Sequence, residues 1–151
     1  MTYTTIPKLP VKVDFLSLDF SGTPGENPVF TLSGSLDNTQ ATLSNNQITL
    51  YEGSHWRLEA SPQAFRVDVV NAVCYTQIYS ITNDQNVGFD GISSRDALKR
   101  GRQTASALIK SSDITTSEIF QIQTQATSGQ LVANDDPLYY YGILKIIELP
   151  A

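Results

Sequence analysis

With 151 residues and 40% hydrophobic content, the chain has the length of one domain and can bury a core without disulfide or metal staples. The single cysteine, Cys74, rules out an intrachain disulfide, no apolar run approaches the 18 or so residues of a spanning helix, and a net charge of −5 gives no general pull towards nucleic acid. Charged residues make up 17%, against about a quarter in ordinary domains, so Ser, Thr, Asn and Gln occupy much of the surface. Such a surface suits an all-β protein, or a subunit that packs against neighbours. The first residues, Met1 to Pro7, lack the charged and apolar regions of a signal peptide, and the expectation is a soluble product made in a cytoplasm.

Taken in order, the chain alternates with period two or shows turn chemistry, and nothing sustains a helical period. Val11, Val13, Phe15 and Leu18 suggest a first strand with a slip near Leu16. Gly22 to Pro28 is a turn cluster, and Val29 to Leu36 is a short strand interrupted by Gly34. Ile48 and Leu50 lead into a Glu52-Gly53 turn. Trp56, Leu58 and Ala60 then alternate with His55, Arg57 and Glu59, a half-buried strand with one charged, wet face. Val67, Val69, Val73, Tyr75, Ile78, Tyr79 and Ile81 continue the sheet.

Asn83 to Asn86 marks a turn, and the segment from Asn83 to about Gly101 reads as a long loop. The best helical candidate is Ser94 to Ser106, where Asp96, Ala97 and Leu98 suggest a turn or two before Gly101. Gln103 to Ile109 is a strand with Ala105, Ala107 and Ile109 on one side, and Phe120, Ile122, Thr124 and Ala126 alternate against Gln121, Gln123 and Gln125. Eight to ten strands in one domain mean a sandwich, a jelly roll or a barrel.

The closing stretch, Pro137 to Pro150, is one long strand of β-branched and aromatic residues. Tyr139, Tyr141, Ile143, Ile147 and Leu149 share one face, broken only by Lys145; Tyr140, Leu144 and Ile146 share the other. Both faces are apolar, so both need cover. One cover is the core, and the other is a second layer or a partner chain.

The order of these signals resembles the tumour necrosis factor-like and complement-type jelly rolls. The residues that carry the resemblance are Ile48-Thr-Leu50, Glu52-Gly53 and His55 to Ser61, then Ile114 to Gln123, then Tyr139 to Leu149. It covers roughly Ile48 to Leu149 and implies a two-sheet antiparallel jelly-roll sandwich assembling as a homotrimer, with the final strand at the trimer centre. Tyr139, Tyr141, Ile143 and Ile147 are then the expected trimer interface. Residues 1–47 match no motif and would supply early strands of a single domain or a capsid-binding arm, with the core roll at 48–149. Short chains of this kind look most like tailed-bacteriophage virion proteins. The resemblance therefore implies a capsid decoration (cement) protein, partnered by itself and by the major capsid protein and located on the virion surface. The alternative is a receptor- or glycan-binding head of a fibre or tail tip. Neither nucleic acid nor membrane is an expected partner.

Candidate chemistry is sparse. One histidine, His55, leaves no multi-His metal site and little for a catalytic triad, so no enzyme is expected. Cys74, in Val73-Cys-Tyr75, reads as a small buried hydrophobe. Asp135-Asp136 and the turn of Asn83, Asp84, Asn86 and Asp90 are oxygen-rich enough to raise calcium as a possible ligand, and no other cofactor is implied. Arg95, Lys99, Arg100 and Arg102 place four of the ten basic residues within eight positions. That cluster is a solvated loop or a docking patch for an acidic partner, where the planar fork of Arg pairs two oxygens at once. Trp56 and Phe89 are the aromatic candidates for stacking on sugar rings.

Overall fold

The computed structural model describes residues 11–20, 29–61, 65–67, 72–95, 100–126, 131–133 and 142–150. Within them the chain forms antiparallel strands and one short 3-10 turn at Ser111–Asp113. One layer runs β2 (Phe30–Ser33), β1 (Lys12–Phe20), β13 (Gly142–Pro150), β5 (Ser54–Ser61), β10 (Ala105–Ile109) and β8 (Gln85–Arg95). From β8 the hydrogen bonding continues through β7 (Ala72–Ser80), β11 (Ser117–Ala126), β4 (Gln47–Tyr51) and β3 (Ala41–Ser44), with β9 (Arg100–Gln103) also on β8. β6 (Phe65–Val67) and β12 (Leu131–Ala133) make a separate ribbon. Among the described residues thirteen strands stand where alternation indicated eight to ten, because strands of three and four residues are too short to show a period.

The core lies between the layers. Leu16, Leu18, Trp56, Leu58, Ala60, Leu144 and Ile146 enter it from one side; Ile48, Leu50, Ile78, Phe120 and Ile122 enter from the other. Each set sits at alternate positions of its strand, as a pleated backbone requires. Ala105, Ala107 and Ile109 are buried together, as the sequence indicates. Burying each of the larger side chains contributes roughly 1.5–3 kcal/mol.

Two sequence expectations are corrected. The first strand has no slip: Leu16 and Leu18 point inward, and Val11, Val13 and Phe15 lie exposed on the opposite face. The segment read as a loop after Asn83 is largely β8, which among the described residues runs eleven residues and pairs with β7, β9 and β10. Its Gly88 and Gly91 blur the alternation, but both are needed where β8 crosses closely over β10. A Cβ on Gly88, at φ 74°, would press on the Ser106 carbonyl, and one on Gly91 would lie 2.7 Å from the Ala105 nitrogen. Of the helical candidate Ser94 to Ser106, the described residues are strand, ending β8 and forming β9, which pair up to Arg95 with Arg100, and then β10; Asp96, Ala97 and Leu98, where the turn is expected, lie outside the described residues. Gly142 allows β13 to lie close to β1, since a Cβ there would meet the Leu18 backbone.

The N-terminal stretch contributes β1, β2 and β3 to the same sheets. β3 went unread although Asn45-Asn46 is a hairpin signal: both residues have positive φ, and Ser44 pairs with Gln47 across them. Glu52-Gly53 does not close a hairpin; it carries the chain from one layer to the other.

Candidate functional site

Among the described residues, large exposed hydrophobic side chains gather on the outward face of the β1–β13–β5–β10–β8 layer. Antiparallel register sets its rows. Phe15 on β1 lies opposite Lys145, which lies opposite Glu59, then Ser106, then Phe89 on β8. The next row is Val13, Ile147, Arg57 and Leu108. Directly opposed residues share a face, so each row is a line of side chains pointing away from the core.

Exposure divides this face into three zones. Phe15 is 59% exposed, Val13 41% and Ile143 37%, forming one apolar patch with the half-buried Ile147. Phe89 at 78% and Leu108 at 59% form a second apolar patch at the far edge. Between them runs an ionic strip. The Arg57 Nε lies 3.0 Å from Glu59 Oε1, and the Lys145 Nζ lies 4.0 Å from Glu59 Oε2. Lys145 also sits 6.0 Å from the centre of the Phe15 ring, a cation–π distance. His55, on the same strand face, accepts the Ser111 N–H at Nδ1 (2.9 Å).

Of the residues expected at an interface, Ile143 and Ile147 lie on this outward face while Leu144 and Ile146 fill the core. Tyr139 and Tyr141 lie outside the described residues. Sequence reasoning missed Val13, Phe15 and Leu108. The apparent slip near Leu16 groups Val11, Val13 and Phe15 with Leu18 and so leaves no outward face to recognise, and Leu108 stands among small inward residues. Of the basic cluster, Arg95, Arg100 and Arg102 fall on the β8–β9 hairpin rather than in a loop, and Lys99 lies outside the described residues. Cys74 pairs in β7 opposite Ala126 and Ser93. Trp56 is fully buried, donates from Nε1 to the Tyr51 carbonyl (3.4 Å), and so is removed as a stacking platform; Phe89 stands in a strand and is exposed.

The other layer presents a different outward face. Gln121 donates to Gln123 (3.2 Å), Gln123 to Gln77 (3.1 Å), and Gln77 to both Gln125 and Asp90 (3.3 Å each). An ionised carboxylate only accepts, so Asp90 fixes which end of each amide faces the next. Tyr75 and Tyr79 flank this chain on β7, each opposite one of its glutamines. The oxygen-rich turn does not converge on one point: Asn83 donates to Glu118 (2.6 Å), Asp84 accepts the Tyr79 hydroxyl, and Asp90 holds Gln77. Among the described residues no group of three or more His, Cys, Asp or Glu has metal-binding geometry. Asp135 and Asp136 lie outside them. Glu118 is buried, with Ser80 donating to it at 2.7 Å, and lines a cavity of about 340 Å³ together with Asn83, Gln85 and Asp113.

No family model and no curated protein sequence matches the chain. Solved structures do. The crystal structure of murine APRIL at pH 5.0 superimposes with a TM-score of 0.61 at 11% identity, covering 91% of this chain and all of that one. Two further crystal structures of murine APRIL, at pH 8.5 and pH 8.0, give TM-scores of 0.58 at 11% and 10% identity over the same shares. The fold is a tumour necrosis factor-like jelly roll. At this level of identity the likeness describes architecture alone. The jelly roll places β13 in the interior of one layer, flanked by β1 and β5, with the two-patch face directly above it.

Proposed function

We propose that this jelly roll is a structural virion protein: a homotrimer that decorates and cements the surface of a phage head, with no enzymatic role. The observation that carries the reading is the uncovered apolar face over β1 and β13, where Phe15, Val13 and Ile143 lie exposed on a strongly paired, rigid layer. Apolar patches of this kind on a sheet mark association surfaces, because leaving them in water favours aggregation. Ile143 and Ile147, with Tyr139 and Tyr141 ahead of them in the sequence, are the proposed trimer contacts. A cyclic arrangement closes on itself and leaves no sticky face exposed.

Docking to the head is assigned to Arg95, Lys99, Arg100 and Arg102, a basic cluster in a chain of net charge −5. Its proposed partner is an acidic surface of the major capsid protein. Bridging neighbouring capsid subunits would add contact area that resists internal pressure. Light scattering on a sizing column should give a mass near three chains, and the trimer should co-sediment with phage heads lacking their decoration. Reversing charge at Arg100 and Arg102 should abolish co-sedimentation while the trimer persists. A trimer that never binds heads would remove the decoration role.

A second reading is supported by the amide chain of Gln121, Gln123, Gln77 and Gln125 beside Tyr75 and Tyr79. Neutral donors and acceptors next to aromatic rings suit a glycan, which would make the trimer a receptor-binding head of a fibre or tail tip. Binding to a glycan array, lost on Gln121→Ala, would favour that role over decoration.

A further inference from the structure

We infer that the cavity between the β7–β8 turn and the 3-10 turn is a binding site for a small primary alkylammonium. The ammonium head pairs with the Glu118 carboxylate at the floor, and the alkyl stem lies against Val87 and Leu108. The inference does not depend on the virion role proposed above.

The cavity, about 340 Å³, has the size of a small-molecule site. Of its lining residues Glu118 and Ile109 are buried, Val87 is half-buried, and Asn83, Gln85, Leu108 and Asp113 are exposed. The first pair therefore form the floor and the last four the rim. Both turns that shape it are tied down. Ile81 donates its N–H to the Ile119 carbonyl (2.8 Å) and Ile119 donates to Thr82 Oγ1 (2.9 Å), which holds the β7–β8 turn on β11. Across the cavity, Asp113 Oδ2 accepts the Lys110 N–H (3.2 Å) and closes the 3-10 turn.

The floor sets the chemistry. Glu118 is 5% exposed, and both of its donors, Ser80 at 2.7 Å and Asn83 at 2.6 Å, fall on one oxygen, Oε1. Among the described residues nothing donates to Oε2, and no Lys or Arg pairs with this carboxylate. A buried charge without a counter-charge is costly, so a cation is the ligand that this floor favours. None of the described lining residues is basic, and Asp113 adds a second carboxylate at the rim. The single free oxygen selects the head group. A guanidinium pairs best with both oxygens of a carboxylate, and Oε1 is taken; an ammonium needs only one, and the side-chain carbonyls of Asn83 and Gln85 are further acceptors at the rim. The walls exclude a bare hard cation, which needs six or more oxygens, whereas Ile109, Val87 and Leu108 offer an alkyl stem apolar cover.

The test uses the full chain with butylammonium chloride as the probe, in about 0.15 M sodium chloride to screen diffuse attraction to an acidic protein. Amide resonances of Gln85, Val87 and Glu118 should shift and saturate as one site, and n-butanol should move none of them. Glu118→Gln keeps an oxygen for Ser80 and Asn83 but removes the charge, and should weaken binding about tenfold or more. Gln85→Lys changes only the exposed rim, brings an ammonium of the chain's own to the mouth, and should weaken binding with an unchanged urea midpoint. It decides the matter if Glu118→Gln does not fold. Shifts that fail to saturate, or that spread over acidic residues elsewhere, would overturn the site, as would undiminished binding in either folded variant. The same shifts produced at lower concentration by calcium chloride or by butylguanidinium would overturn the choice of ligand.

Discussion

Thr76 carries its hydroxyl into the fully buried interior, where Oγ1 has no hydrogen-bond partner among the described residues. A buried, unpaired hydroxyl costs roughly 1–3 kcal/mol, and valine has nearly the same shape. Thr76→Val should therefore raise unfolding stability by about 1 kcal/mol, read as a higher urea midpoint at unchanged slope. A second local effect concerns Tyr79. Its hydroxyl donates to the Asp84 carboxylate, and that bond, with minor help from desolvation and from the carboxylate's charge, holds the phenol above its usual value of 10.0. Since the raised value favours the neutral phenol in the folded state, the contribution to stability is complete below about pH 10 and is lost as pH rises through the folded-state value. Asp84→Asn should move one tyrosine titration back towards 10, seen by ultraviolet difference titration and absent in Tyr79→Phe.

At the scale of elements, the β3–β4 hairpin and the β8 crossing depend on single backbone positions. Asn46 sits at φ 61° and also accepts the Leu32 N–H at Oδ1 (3.2 Å), so it closes the hairpin and ties it to β2. Asn46→Gly keeps the backbone conformation and loses only the tether; Asn46→Ala loses both. The alanine variant should be the less stable of the two by about 1 kcal/mol in chemical denaturation. Gly88→Ala should cost more, about 1–3 kcal/mol, because φ 74° is strained for alanine and the added carbon meets the backbone of β10. Equal stability of Gly88→Ala and the parent would mean that the crossing is looser than the geometry indicates.

On the scale of the whole molecule, the two layers use their outer faces differently. One is an amide network polarised by Asp90, and the other is a pair of apolar patches around paired charges. The second face should control solution mass. In the proposed trimer, Ile147→Asp, on the outward side of β13, should lower the mass from three chains to one with an unchanged far-ultraviolet spectrum. Leu144→Asp, one pleat inward and fully buried, should instead abolish folding.

The sequence by itself determined the strand periodicity and therefore the all-β class. It also placed Trp56, Leu58 and Ala60 opposite Arg57 and Glu59, gave the same alternation in β10 and β11, and separated Leu144 and Ile146 from Ile143 and Ile147. These features are local, because a pleated strand sends neighbouring side chains to opposite sides whatever surrounds it. Only the tertiary structure decided which side of β1 faces the core. Val11, Val13 and Phe15 are as apolar as Leu16 and Leu18, and only pairing with β13 and β2 selects between them. It also decided that β8 is a strand: with glycines at 88 and 91 it has little preference of its own, and its pairing with β7, β9 and β10 supplies what propensity does not. The two-patch face was illegible for the same reason. Its members come from β1, β13, β10 and β8, distant in sequence, and share a surface only because hydrogen-bond register aligns them.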